Sequence, residues 1–132
     1  MAETSYSRLL EFIFYFEDVN VAFCKWSSGK RDENGVYTMP YPIYDDRLKE
    51  FIQAVYDSDL MMNHYLNYIK KIGSVSDIVR GINDVEDMDT LRAFLTYFVR
   101  QERFCDGLWA KAAEDKIFLQ ILLKLRELTD SE

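Results

Sequence analysis

Between positions 100 and 109 the chain reads Arg-Gln-Glu-Arg-Phe-Cys-Asp-Gly-Leu-Trp, gathering cations, carboxylates, a thiol and two aromatic rings around one glycine. Gly107 allows a backbone turn that a side chain would obstruct, and Asp106 is placed to accept hydrogen bonds from the first amides of a following helix. Two readings of this cluster follow. In the first, Arg103 forms a partly buried ion pair with Glu102, Asp106 or a carboxylate from another helix, while Phe104 and Trp109 pin the corner into the core. Such a pair fixes an orientation and adds little net stability, because desolvation offsets attraction. In the second, Arg100, Glu102, Arg103 and Asp106 line a pocket beside Trp109, in which an arginine holds an anionic group against a helix N-terminus. Tyr41 and Tyr44, upstream, are candidates to complete that pocket. Cys105 would add a thiol whose pKa the helix end lowers, making it a nucleophile or redox sensor.

Other chemistries find no residues to carry them. Ser28-Gly29-Lys30-Arg31 looks like the end of a phosphate-binding loop, but position 24 is cysteine rather than glycine, and Arg31 stands where a hydroxyl should hold magnesium. A single histidine, His64, and two distant cysteines fall short of the ligands of a zinc site. The carboxylates of residues 84–89 lack both the turn glycine and the distal glutamate of a calcium-binding EF-hand loop, so helix capping is the expected role. No Gly-x-Ser-x-Gly elbow is present, and His64 would have to serve as the base of any Ser/His or Cys/His pair. No metal or cofactor is expected.

The chain has 132 residues, the size of one domain, and its apolar fraction of 48% supplies a core without disulfides. A net charge of −7 would repel a phosphate backbone, which excludes nucleic acid as the expected partner. Cys24 and Cys105 do not make a disulfide framework, and no secretory signal is legible, so the expected compartment is the cytoplasm. The most apolar N-terminal stretch, residues 9–16, contains Glu11 and is well short of the roughly 20 apolar residues a membrane span needs. No membrane association is expected.

The elements that must hold the cluster are mainly α: a bundle of about five to six helices as a single domain over residues 1–132. A first helix, capped by Ser5 or Ser7, carries Leu9, Ile13 and Phe16 on one stripe and Leu10 and Phe14 on another, which predicts burial on two sides. Residues 21–26 and 36–41 are β-prone and flank a turn cluster of Ser27, Ser28, Gly29, Asp32, Asn34 and Gly35, leaving room for a small hairpin between the first and second helices. Pro40 and Pro42 predict that residues 39–44 form an extended arm rather than a continued strand. Asp45 or Asp46 caps a second helix, with Leu48, Phe51, Ile52, Val55 and Tyr56 at helical spacing. Met62, Tyr65, Leu66 and Ile69 mark a third helix ending at Gly73, expected beside the second because the connection is short. A short helix follows in residues 74–84. Asp87 or Asp89 then caps a central helix with Leu91, Phe94, Leu95, Phe98 and Val99 inward. A last helix over residues 117–128 carries Phe118, Ile121, Leu122 and Leu125, with Leu119 and Leu123 widening its apolar face, so it lies deep in the core or leaves a face for a partner.

The stretch Glu102, Arg103, Phe104, Cys105, Asp106, Gly107 and Trp109 resembles the motif Glu-Arg-Phe-Cys-Asp-Gly-x-Trp of a family of small uncharacterised bacterial domains, grouped as a domain of unknown function. Asp89-Thr90-Leu91-Arg92 and Met39-Pro40-Tyr41-Pro42-Ile43-Tyr44 look similar too, so the resemblance covers roughly residues 39–128. It implies a shared fold and no transferable chemistry. The expected function is a non-catalytic helical module that binds another protein or its own kind. The alternative is a small-molecule domain with an anionic ligand held by Arg100, Glu102, Arg103, Cys105, Asp106, Trp109, Tyr41 and Tyr44.

Overall fold

Phe12 follows directly on the stripe of Leu9, and both are buried with Ile13 and Phe16, so the N-terminal segment turns one continuous apolar side inward. In the computed structural model, which describes residues 2–18, 20–26, 30–31, 33–38, 41–104 and 107–130, this segment is two helices, α1 (Ala2–Leu10) and α2 (Ile13–Glu17). Ser5 and Ser7 lie inside α1 rather than at its cap. The second apolar stripe is not buried: Leu10 is half-buried and Phe14 is 81% exposed. The Phe16 ring packs edge-on against Phe51 and tilted against Phe118, filling the inner side, and nothing comparable covers the side that bears Glu11, Phe14 and Glu17.

The segment between α2 and the next helix forms antiparallel ladders. Strand β1 (Cys24–Trp26) pairs with β4 (Pro42–Tyr44), matching Cys24 with Tyr44, Lys25 with Ile43 and Trp26 with Pro42. Strand β2 (Lys30–Arg31) pairs with β3 (Tyr37–Thr38), matching Lys30 with Thr38 and Arg31 with Tyr37. Every pair is symmetric about position 34, so the two ladders keep one register around a turn where Gly35 takes a φ of +81°. The hairpin is therefore longer than the sequence suggested. Lys30 and Arg31, expected within the turn, are strand, and Pro42 begins a strand instead of an unpaired arm, a position where a missing N–H is tolerated. Ser27, Ser28, Gly29, Asp32, Met39 and Pro40 lie outside the described residues.

The rest is helical: α3 (Asp46–Asp57), α4 (Tyr65–Ile72), α5 (Val75–Gly81), a 3₁₀ turn (Ile82–Asp84), α6 (Met88–Arg100), a second 3₁₀ turn (Gln101–Phe104), α7 (Leu108–Glu114) and α8 (Ile117–Asp130). Ser74 and Asp77 form a capping box at α5, and the Asp87 carboxylate accepts from Thr90 N at 2.9 Å at α6. Helix α6 is central, packed by α4, α7 and α8. The short α3–α4 connection does not make those helices close neighbours as expected; α4 lies along α6. Buried Thr96 holds the connection there, its hydroxyl accepting from Met62 N at 3.2 Å. Helix α8 occupies the core, packed by α1, α2, α6 and α7, with Leu119 and Leu123 half-buried against the cluster, so its broad apolar face is covered by this chain. Among the described residues no helix is long and apolar enough to cross a membrane.

Candidate functional site

The corner between α6 and α7 is where the chemistry-bearing residues meet, and its construction starts from a helix-end problem. The first amides of α7 have no partners within their own helix. Gly107, at a φ of +91°, turns the chain into α7, and the carboxylate of Glu102 reaches forward to take two of those amides. Glu102 Oε2 accepts from Gly107 N and Oε1 accepts from Trp109 N, each at 2.9 Å. The capping role expected of Asp106 is thus filled by Glu102, while Asp106 itself lies outside the described residues.

The hairpin closes over this corner. Alternation along the strands puts Cys24, Trp26, Pro42 and Tyr44 on one face and Lys25 and Ile43 on the other. From the first face, the Tyr44 hydroxyl accepts from Gly107 N at 3.1 Å and donates to Glu102, and its ring lies 5.1 Å from that of Trp109. Burial, then the hydrogen bond to and charge of Glu102, push the Tyr44 hydroxyl well above the ordinary tyrosine pKa. Trp26 lies directly on Gly107: a Cβ there would sit 2.6 Å from its Cζ2. Glycine is therefore required twice at position 107, by backbone angle and by space. Trp109 completes the lock by donating from Nε1 to the carbonyl of Val99 in the last turn of α6, at 2.8 Å.

Arg100 stands at the edge of this arrangement. Its guanidinium lies 6.0 Å from the centre of the Tyr65 ring and has no ion pair or hydrogen bond to the described residues. Neighbouring Gln101 donates to the Tyr65 hydroxyl at 3.0 Å. Arg100, Glu102, Trp109, Val99 and Tyr56 border a cleft of about 250 Å³. Of the two upstream tyrosines, Tyr44 reaches the corner, while Tyr41 is 51% exposed. The side chains of Arg103 and Phe104, and Cys105 and Asp106 entirely, lie outside the described residues.

The structure brings together Tyr44, Glu102 and Trp109, with Arg100 beside them. Trp26 and Cys24, which the sequence did not single out, join the same face, and only the ladder register could have identified them. Burial, with the nearby charges of Glu114 and Glu102, pushes the Cys24 thiol up, so it is held as a protonated thiol rather than a nucleophilic thiolate. The described residues include no group of His, Cys, Asp and Glu that could hold a metal ion.

The chain belongs to a family of unknown function, DUF6508, which matches residues 1–131 and so takes in the N-terminal helices as well as the motif around Gly107. No curated protein and no solved structure matches it.

Proposed function

We propose that this member of the family is a non-catalytic cytoplasmic module that binds another protein through the outward face of its hairpin. The observation that carries the reading is the contrast at β1 and β4. Tyr44 and Trp26 rest on the α6–α7 corner, Trp26 keeping 53% of its surface exposed, while on the opposite face Ile43 is 50% exposed beside Lys25, with no contact holding either to the corner and no ion pair at Lys25 among the described residues. Tyr41, at 51% exposure, lies just before β4. A half-exposed apolar and aromatic surface on a rigid support is the composition that protein interfaces favour. Of the polar groups that could suggest catalysis, Glu102 has both carboxylate oxygens accepting helix amides. The acidic balance of the chain supports a protein over a nucleic acid as partner. Capture from host extract with the parent and with Lys25→Glu combined with Ile43→Ser tests this. A protein held by the parent and lost by the variant, at unchanged melting temperature, is expected; an identical set of captured proteins overturns the reading.

A second reading rests on Arg100. A guanidinium without a carboxylate partner among the described residues, bordering a cleft with Tyr56 and Trp109, is suited to a small carboxylate bearing an apolar body. Benzoate is the simplest probe. Bound to the folded state alone, it would raise the melting temperature of the parent by mass action and leave Arg100→Met unmoved. No shift in the parent at millimolar benzoate sets this reading aside.

A further inference from the structure

We infer that the protein docked on the outward hairpin face is a second copy of this chain, which presents to it the acidic, aromatic face of α2. The inference rests on the proposed interaction role of the hairpin and names the occupant.

The chain carries two exposed surfaces of opposite charge, each built around an apolar side chain. On α2, Phe14 is 81% exposed. Glu17, three residues after it, shares its side of the helix, and Glu11 in the preceding turn and Asp18 at the helix end are also exposed. Neither Glu11 nor Glu17 pairs with a cation among the described residues. A phenylalanine in water on a five-residue helix, with exposed carboxylates before and after it, is complementary to an apolar surface that carries cations. The hairpin is that surface. By sequence, residues 24–44 hold three cations against two carboxylates, in a chain with 23 carboxylates and 16 cations overall, and of these Lys25 is placed on the outward face. Lys25 sits directly across the ladder from Ile43, so an apolar contact and an unpaired cation are offered together.

The two surfaces belong to one rigid unit. Tyr15, adjacent to Phe14, donates to the Asp45 carboxylate at 2.6 Å just beyond β4, and its ring meets Phe23 edge-on just before β1. Asp45 N in turn donates to Phe23 O at 2.9 Å. Two complementary patches fixed relative to each other on one chain permit a two-fold contact, in which the α2 face of each copy meets the hairpin face of the other. Phe14 then packs on Ile43 and Tyr41, and Glu11 or Glu17 faces Lys25, twice per dimer.

The test is sedimentation and light scattering of the parent and of charge-reversed variants. The parent is expected to form a dimer that weakens as ionic strength rises. Phe14→Ser and Ile43→Ser, both at exposed positions, are each expected to weaken it at least about tenfold without altering the circular dichroism. Lys25→Glu alone, and Glu11→Lys with Glu17→Lys alone, are expected to be monomers, because each opposes like charges twice. Mixed in equal amounts they are expected to form dimers, since every contact in the mixed pair joins opposite charges. A parent that is monomeric at high concentration in low salt overturns the inference. So does a dimer indifferent to Phe14→Ser and Ile43→Ser, or two monomeric variants that fail to pair when mixed. Loss of a different captured protein on altering the hairpin would leave the interaction role standing while removing the second copy as occupant, so the two failures are separable.

Discussion

Alternate residues of the same strands make different contacts, although Trp26 on one face and Ile43 on the other are both about half exposed. Trp26 and Tyr44 face the α6–α7 corner, where the tyrosine hydroxyl joins a carboxylate and two backbone amides. Lys25 and Ile43, one residue along on each strand, face water. The backbone pairing is common to both faces, so the difference lies in what the side chains leave unsatisfied. On the inner face, removal of one group strands others that water reaches poorly; on the outer face, removal of a group strands nothing on this chain. The comparison reverses a natural expectation for three residues: Glu102, Tyr44 and Trp109, which look chemically active in the sequence, hold a helix end, while the plainer Lys25 and Ile43 face outward.

The comparison breaks most sharply at Glu102. Glu102→Ala leaves Trp109 N and the Tyr44 hydroxyl without their acceptor and Gly107 N with the Tyr44 oxygen alone, and a loss of about 3 kcal/mol is expected from the lost caps and a stranded donor. Thermal unfolding checks it, with roughly a 10 °C fall in melting temperature for a domain of this size. Glu102→Gln, keeping one acceptor oxygen, should lose about half as much. Gly107→Ala comes next, at about 2 kcal/mol, combining a left-handed backbone with a methyl driven into Trp26. Both tryptophans of the chain, Trp26 and Trp109, flank this glycine, so their emission should shift to the red in the folded variant. Unchanged emission would show that the hairpin does not rest on Gly107.

A smaller effect appears with pH. The Tyr44 and Tyr15 hydroxyls, each buried and each bonded to a carboxylate, have pKa values raised well above the ordinary 10. The folded state therefore keeps protons that the unfolded chain releases, and stability is whole below about pH 10 and falls as pH rises beyond it. Melting temperatures from pH 8 to 11 should show that decline in the parent. It should be flatter in Tyr15→Phe with Tyr44→Phe, which removes both groups and costs about 1 kcal/mol for each lost bond at neutral pH. An equally steep decline in the double variant would place the base sensitivity elsewhere.

The helices were legible because burial on one side leaves a period of 3.6, as in Leu91, Phe94, Leu95, Phe98 and Val99 of α6, all buried as spaced. Phe14 misled because hydrophobicity alone marks what could be buried, whereas the number of neighbours available decides it; α3 and α8 cover one side of α2, and Phe14 points away from both. The hairpin was half legible. Gly35 and its neighbours signalled the turn, but proline statistics argued against β4, since the ladder at Pro42 depends on Trp26, which is distant in sequence. The corner around Gly107 stood out by composition, yet its wiring did not, because the cap comes from Glu102 across the turn rather than from the residue beside the helix. Helix capping was the expected chemistry and Glu102 supplies it, while Asp106 lies outside the described residues.

The smallest expected effect on stability tests the comparison from its other side. Lys25→Glu with Ile43→Ser alters two side chains that accept and donate nothing within the described residues and face water, so their loss strands no buried polar group and opens no cavity. Stability should stay within about 0.5 kcal/mol of the parent, as for surface changes away from caps and cores. If unfolding instead shows a loss comparable with that of Glu102→Ala, Lys25 and Ile43 support the fold, and the outer face cannot be treated as a surface held for a partner. An unchanged melting curve with weakened association separates the two faces by role: one fixes the hairpin on the corner, and the other uses that fixed position to present a cation and an apolar side chain to a second protein.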